Sequence, residues 1–446
     1  MVSWARQLGA RAPWWGLLVA VTLMAVAMVL PAALGWDVHL LEVPPLHAEW
    51  QPRVGPGTPA AVLVGITGLF GATRAAQKWP WGRLLLGSFV LSVAWLASLA
   101  TVDGWAGIGH VLNTTNEYLN TARSVTDISA TLHEYIDRIP IDSPHNWPVH
   151  VAGHPPGALL FFILLVQLGL GSGLAAGWVV LLVASTTPVA VLVTVRRLGT
   201  EEAARRVAPF LVLGPAAIWL AVSADAVFGA VAAWGLCCLA LSATEQRRSR
   251  VALWGLLAGL LLGSCVMMSY GLVLLAILAI GVLLVARDWR PLPWAVVAAL
   301  AVVLTFAAAG FAWWEAYPVL RERYWDGVAT DRPTRYWIWA NLAALCFGAG
   351  PLVGASVAVV VDKVRHRTPL RAGERPVVWL VLAASASVAI ADLSGMSKAE
   401  VERIWLPFVP WLLLGCALLP PQWRQRGLVL QVATALVVQH LLFTLW

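Results

Sequence analysis

Charge is scarce in this chain. Only 12% of its 446 residues are Asp, Glu, Lys or Arg, and three of them, Lys78, Lys363 and Lys398, are the only lysines. With 60% hydrophobic residues and a mean hydropathy of +0.77, the composition argues against an ordinary soluble domain. Segments of about ten residues with alternating polarity are also missing, which argues against a transmembrane barrel. The five cysteines, Cys237, Cys238, Cys265, Cys346 and Cys416, all lie inside apolar runs without metal-ligand spacing, so neither a disulfide framework nor a zinc site is implied. There is no internal repeat. The net charge of +7 does not point to nucleic acid, because the arginines cluster in short loops between apolar runs, where they orient a membrane protein.

What the chain does contain is a succession of apolar runs of about twenty residues. They lie near 14–35, 59–73, 83–102, 157–172, 174–195, 207–222, 224–243, 251–268, 271–286, 292–313, 336–361, 376–393, 404–420 and 427–446. This predicts an all-α polytopic membrane protein with about 13 transmembrane helices plus one re-entrant helix. The first run follows Arg6 and Arg11 as a signal peptide would, but Trp14 to Gly35 is long enough to span and reads as a helix. Basic clusters at Arg74–Arg83, Arg247–Arg250, Arg287–Arg290, Lys363–Arg375 and Arg424–Arg426 mark cytoplasmic ends, with the N-terminus inside and the protein in the plasma membrane. If every run crossed once, Arg196 to Arg206 would fall outside. The run at 157–172, short and ending in Gly169-Leu-Gly171-Ser-Gly173, is therefore predicted to be re-entrant or partial; an outward basic loop is the alternative.

The division that follows is 1–102, N-terminal helices with a first external loop; 103–156, a long extracytoplasmic loop; 157–290, a transmembrane core; and 291–446, C-terminal helices with external loops 314–335 and 394–403. The long loop is too large to be a connector. Ionisable groups gathered beside the hydrocarbon boundary are a functional-site hypothesis by default. Within it, Glu117 could deprotonate a hydroxyl just above the membrane or be a solvated loop carboxylate, with Asp103 as the rival base and Asp127 a weaker one. His154-Pro155-Pro156-Gly157 starts a helix, and the imidazole beside that helix N-terminus could contact a phosphate. Lys398 and Arg403, in a run of alternating charge from Met396 to Phe408, could hold a phosphate leaving group or simply pair locally with Glu400 and Glu402. Asp225 either binds a sugar hydroxyl or caps the helix after Ser223. The arginines of 314–335 favour contact with an anionic head group or substrate. His39, His47 and the carboxylates of 36–58 match no defensible metal pattern and read as a structural loop; no metal site is predicted. Asn113-Thr-Thr115 is a glycosylation sequon by pattern only.

The order of polar loop, His154-Pro-Pro, paired apolar runs, Arg196-Arg-Leu-Gly199 and Ser223-Ala-Asp225 resembles class C (GT-C) membrane glycosyltransferases of the protein O-mannosyltransferase and aminoarabinose-transferase type. Leu256 to Gly263 and Met268-Ser-Tyr270-Gly271 extend the resemblance over roughly 100–290, with weaker support from Lys398 to Arg403. Trp-rich, Lys-poor usage is also similar to that of high-GC bacterial membrane proteins. The resemblance implies a GT-C-like fold and transfer of a sugar from a polyprenyl-phosphate lipid donor to an extracytoplasmic hydroxyl on a glycan, lipid or protein. By position Glu117-Tyr118 would match the family's acidic-aromatic motif, with Glu117 as base. Arg403, Lys398 and His154 would hold the donor phosphate, while Tyr118, Asp225 and Tyr270 would bind substrate. Glu49 or Asp37 in the first loop is an alternative base. No cofactor is required, since the lipid phosphate is itself an activated leaving group, and a divalent cation near the acidic loops stays open. Two other classes compete: a lipid or solute transporter or flippase, whose charges would line a gated path, and a non-catalytic membrane scaffold.

Overall fold

The computed structural model describes residues 2–444, with side chains from residue 11 onward. The side chain of Arg6 and the last two residues of the final predicted run, Leu445 and Trp446, lie outside the described part. The chain is helical almost throughout, and its helices place it among membrane proteins. Among the described residues, seven helices are long and apolar enough to cross a bilayer: Arg11–Leu34, Thr58–Lys78, Trp81–Asp103, Gly173–Leu198, Ala224–Ala243, Arg248–Met268 and Glu374–Leu393. Counting each of two bent helix pairs as one span raises this to nine.

The expected count of about 13 spans is therefore too high. Several apolar runs fold into pieces shorter than a bilayer. Pro156–Gln167, Tyr270–Ala286 and Val409–Leu418 are short apolar helices; a 12-residue helix such as the first rises about 18 Å, against a hydrocarbon core of about 30 Å. The run at 207–222 is broken into Glu201–Val212 and Ala217–Leu220 around Pro215. Leu292–Ala308 turns by 73° into Trp313–Asp326, and Thr334–Ala349 by 108° into Leu352–Arg365. Glycines in the left-handed region permit both bends. Gly310 has φ +105° and leaves no room for a Cβ against His133; Gly350 has φ +81° and faces Gln431 in the same way.

Local signals fix where helices start. Pro59 and Pro156 occupy first turns, where no amide donor is lost. The side chains of Ser172, Thr200 and Ser223 accept from the amides of Ala175, Ala203 and Ala226.

Two faces result. At one, the first loop joins the chain's far end through a two-stranded antiparallel ladder pairing Ala48 with Thr444, Glu49 with Phe443 and Trp50 with Leu442. Arg53 N continues it to His440 O at 2.7 Å. The long polar segment packs on this face as a cap of short helices, with Ile108, Leu112, Tyr118, Tyr135, Trp147 and Val151 forming its buried interior. Arg323 of the helix Trp313–Asp326 pins that cap by donating to the carbonyls of Ile139 and Trp147. At the other face the basic segments meet. Arg205 donates to Ala76 O at 2.6 Å, the Arg196 guanidinium lies over Trp81, Arg290 donates to Glu245 O at 3.0 Å, and Thr200 abuts Gly373.

The helix Pro156–Gln167 begins and ends at the capped face. Its start follows His154, and beyond its end Gly171 O accepts from Arg123 Nε at 2.9 Å and NH2 at 2.7 Å. Helix Tyr118–Ser124 runs alongside it, with Tyr118 stacked on Phe162. Gly173 then starts the long helix that carries the chain to the basic face at Arg196.

Candidate functional site

Ordering of the cap begins with aromatic hydroxyls. Tyr118, fully buried, donates to His150 O at 3.2 Å, and Tyr135 donates to Val151 O at 2.8 Å and His154 O at 3.1 Å. These bonds fix the turn from Val149 to His154. That turn aims His150 at Glu117, whose Oε1 lies 2.8 Å from His150 Nδ1. On the other side of the imidazole, Nε2 faces Arg403 NH2 at 3.5 Å. A guanidinium can only donate, so Nε2 is the acceptor and Nδ1–H donates to the carboxylate. Glu117 is 1% exposed, and its second oxygen, Oε2, is buried without a hydrogen-bond partner among the described residues.

Arg403 is the hub. NH1 donates to Asp225 Oδ2 at 2.6 Å and NH2 to Glu400 Oε2 at 3.1 Å. Asp225 is free for this because Ser223, not Asp225, caps the helix Ala224–Ala243. Glu400 is shared with Arg332 at 3.9 Å, which in turn donates to Lys398 O at 2.6 Å. Asp225 and Arg403 are each about 2% exposed. Removing one partner of such a buried pair leaves an uncompensated charge, typically costing about 3–5 kcal/mol.

Electrostatics keeps these carboxylates ionised. Burial raises the pKa of Glu117, yet the hydrogen bond from His150 and the nearby Arg403 guanidinium outweigh it and hold the carboxyl below its ordinary value. Glu400 behaves alike: burial raises it, and Arg403, His150, Arg332 and His47 together lower it further. His154 is pushed down, chiefly by burial, and stays neutral near pH 7. Its Nδ1–H donates to His150 O at 2.8 Å, leaving a lone pair at Nε2. A phosphate contact there would need a second proton.

The cap thus brings Glu117, Tyr118, His154, Asp225 and Arg403 together. Tyr118 is walled off beneath Phe162 and acts through His150. Lys398 sits behind Arg332, its ammonium donating to Ala329 O at 2.8 Å and Arg332 O at 2.9 Å over the Trp325 ring. Tyr270 lies to one side in an aromatic group with Trp313 and Tyr317, and its buried hydroxyl has no hydrogen-bond partner among the described residues. The alternative bases stand elsewhere. Both Asp103 oxygens are engaged, by Arg53 at 2.5 and 3.2 Å and by Gln439 at 3.1 Å. Glu49 is on the short strand facing Phe443, and Asp37 closes a local turn with the His39 amide.

Sequence reasoning did not place His150 in the site, named Glu400 only as a local partner of Lys398 and Arg403, and named Arg332 only among the arginines of 314–335. The signals were present as helical spacings, His150 to His154 and Glu400 to Arg403, which place side chains on one face. His47 also faces this group, close enough to feel Glu400, Arg332 and Arg403. Among the described residues no group of three or more His, Cys, Asp or Glu is arranged to hold a metal. Just beneath, an apolar cavity bordered by Leu96, Thr187, Gly214, Gly229 and Leu406 reaches into the bundle, one turn from Asp225 and from Arg403. No protein-family model, curated protein or solved structure matches this chain.

Proposed function

We propose that the chain is a membrane glycosyltransferase of GT-C-like design, moving a sugar from a polyprenyl phosphate to a hydroxyl acceptor, with the capped face extracytoplasmic and the N-terminus cytoplasmic. The observation that carries this reading is Glu117: a buried carboxylate kept ionised, oriented through one oxygen by His150, with the other open to a hydroxyl proton. Glu117 takes the acceptor proton as its oxygen attacks the anomeric carbon. The bond from that carbon to the phosphate oxygen breaks, and the phosphate leaves with the electron pair, inverting the centre. Arg403 stabilises the charge that develops on it. His154 borders the phosphate, Lys398 acts from behind Arg332 by holding its backbone, and Asp225 orients either Arg403 or a sugar hydroxyl. The helix Pro156–Gln167, too short to span and held at both ends by the cap, is re-entrant in this topology and lets Arg196 to Arg206 reach the cytoplasm.

A second reading, a lipid transporter, draws support from the two sharply bent helix pairs and from the apolar cavity beneath the cluster. One experiment separates the two. Protein in nanodiscs is given radiolabelled mannosyl, arabinosyl, glucosyl and galactosaminyl polyprenyl phosphates, and donor retention and release of free polyprenyl phosphate are scored. Release is expected from the wild type, with loss of more than about a hundredfold in Glu117→Gln at unchanged donor retention and loss in Arg403→Lys. Full release by Glu117→Gln removes the base assignment. Neither retention nor release with any donor, together with lipid flux in liposomes, gives the transporter.

A further inference from the structure

The face opposite the cluster carries an open cleft of about 350 Å³ where the helices Thr58–Lys78, Glu201–Val212 and Pro421–Leu441 meet. The first and last of these begin or end at the capped face, Thr58 touching His440 there, so the cleft lies about 25 Å away along them. Three guanidiniums, Arg205, Arg206 and Arg424, line it against one carboxylate, Glu202. Arg205 is set in place by Glu201 and by Ala76 O, and Arg206 by Glu202. Arg424 has no acidic partner among the described residues, and Gln77 lies exposed on the same wall. The inner wall is Phe210, which also borders the apolar cavity beneath the cluster.

Orientation in a membrane requires only basic charge near helix ends. It does not require three guanidiniums to converge on a concave wall, two of them already held by hydrogen bonds. Planar guanidinium forks match phosphate oxygens, and a basic mouth at a bilayer surface attracts anionic headgroups. We propose that this cleft binds a phosphate group, carried by a lipid headgroup or by a soluble phosphate compound, with Arg424 and Arg206 as its ligands. The site stands apart from Glu117 and Arg403 and does not depend on the glycosyltransferase reading.

The test uses native mass spectrometry of the full chain in detergent, offering dioleoyl phosphatidic acid, dioleoyl phosphatidylcholine and inorganic pyrophosphate. Phosphatidic acid is expected to bind in preference to phosphatidylcholine, about tenfold more weakly in Arg424→Glu. Gln77→Glu, an exposed and nearly isosteric change that leaves folding undisturbed, is expected to weaken it in the same direction. Binding of phosphatidic acid without pyrophosphate identifies a lipid headgroup as the source; pyrophosphate that binds and displaces the lipid identifies a soluble phosphate. Equal binding of both lipids with no pyrophosphate binding, or binding unaltered in Gln77→Glu and Arg424→Glu, overturns the site.

Discussion

Glu402 is adjacent to the hub arginine yet behaves unlike Glu117 and Glu400. Its backbone and Cβ abut Gly348, and both carboxyl oxygens are buried without a hydrogen bond from another residue. Burial, reinforced by the negative charge of Glu400, pushes its pKa up to about 8 from an unperturbed 4.5. A raised pKa means that the folded protein holds this proton more tightly than the unfolded chain. Its stability contribution is complete below about pH 4.5 and is lost as pH rises through about 8. Glu117 and Glu400, both lowered, act oppositely and at more acid pH. The melting temperature of detergent-solubilised Glu402→Gln should therefore decline less than that of the wild type between about pH 5 and pH 8.5, as read by scanning fluorimetry; parallel curves would show that Glu402 is solvated. At this scale the sequence is informative where a charge lies close to an apolar run. Glu117, Asp225 and Arg403 stand out as charges beside apolar runs, and the fold joins them. His150 and Glu400 were hidden among neighbours of equal polarity, and only the fold distinguishes the two that point inward.

Helices meet here through small residues rather than through charge. Gly255, Gly259 and Gly263 recur every four positions along Arg248–Met268 and form one face against Leu292–Ala308. A Cβ at Gly259 would lie 2.1 Å from Ala295 O and 2.7 Å from Ala298 Cβ. Because the obstacle is backbone, the helices would have to part. Gly259→Leu should lower stability by about 1–3 kcal/mol, seen as a lower melting temperature, whereas Leu253→Phe, on the exposed side, should leave it unchanged. Hydropathy foretold that these segments are helical but misjudged how many of them cross. An apolar run reads alike whether it spans lipid or ends after 12 residues inside protein, as Pro156–Gln167 does. The conflict raised by Arg196 to Arg206 points at that run but not at Tyr270–Ala286 or Val409–Leu418, which are also short.

On the scale of the whole molecule, contacts such as Arg205 with Ala76 and Arg290 with Glu245 bring basic segments together at the face opposite the cap. Which face looks outward is open to direct measurement. In a background lacking the five buried cysteines, Asp142→Cys and Asp326→Cys should react with a membrane-impermeant maleimide on intact cells, and Arg248→Cys and Arg367→Cys only after permeabilisation. The reverse pattern would put the cluster inside. The pairing of Ala48–Trp50 with Leu442–Thr444 left no trace in the sequence, because three-residue strands carry no readable period. A last consequence concerns the charge inventory of the cluster. Three carboxylates, Glu117, Asp225 and Glu400, face two guanidiniums, Arg332 and Arg403, so these five groups, when ionised, sum to 2 − 3 = −1. An anion entering this site has to bring a proton with it or evict a carboxylate from Arg403. If a proton comes with it, the heat of its binding varies with the ionisation enthalpy of the buffer.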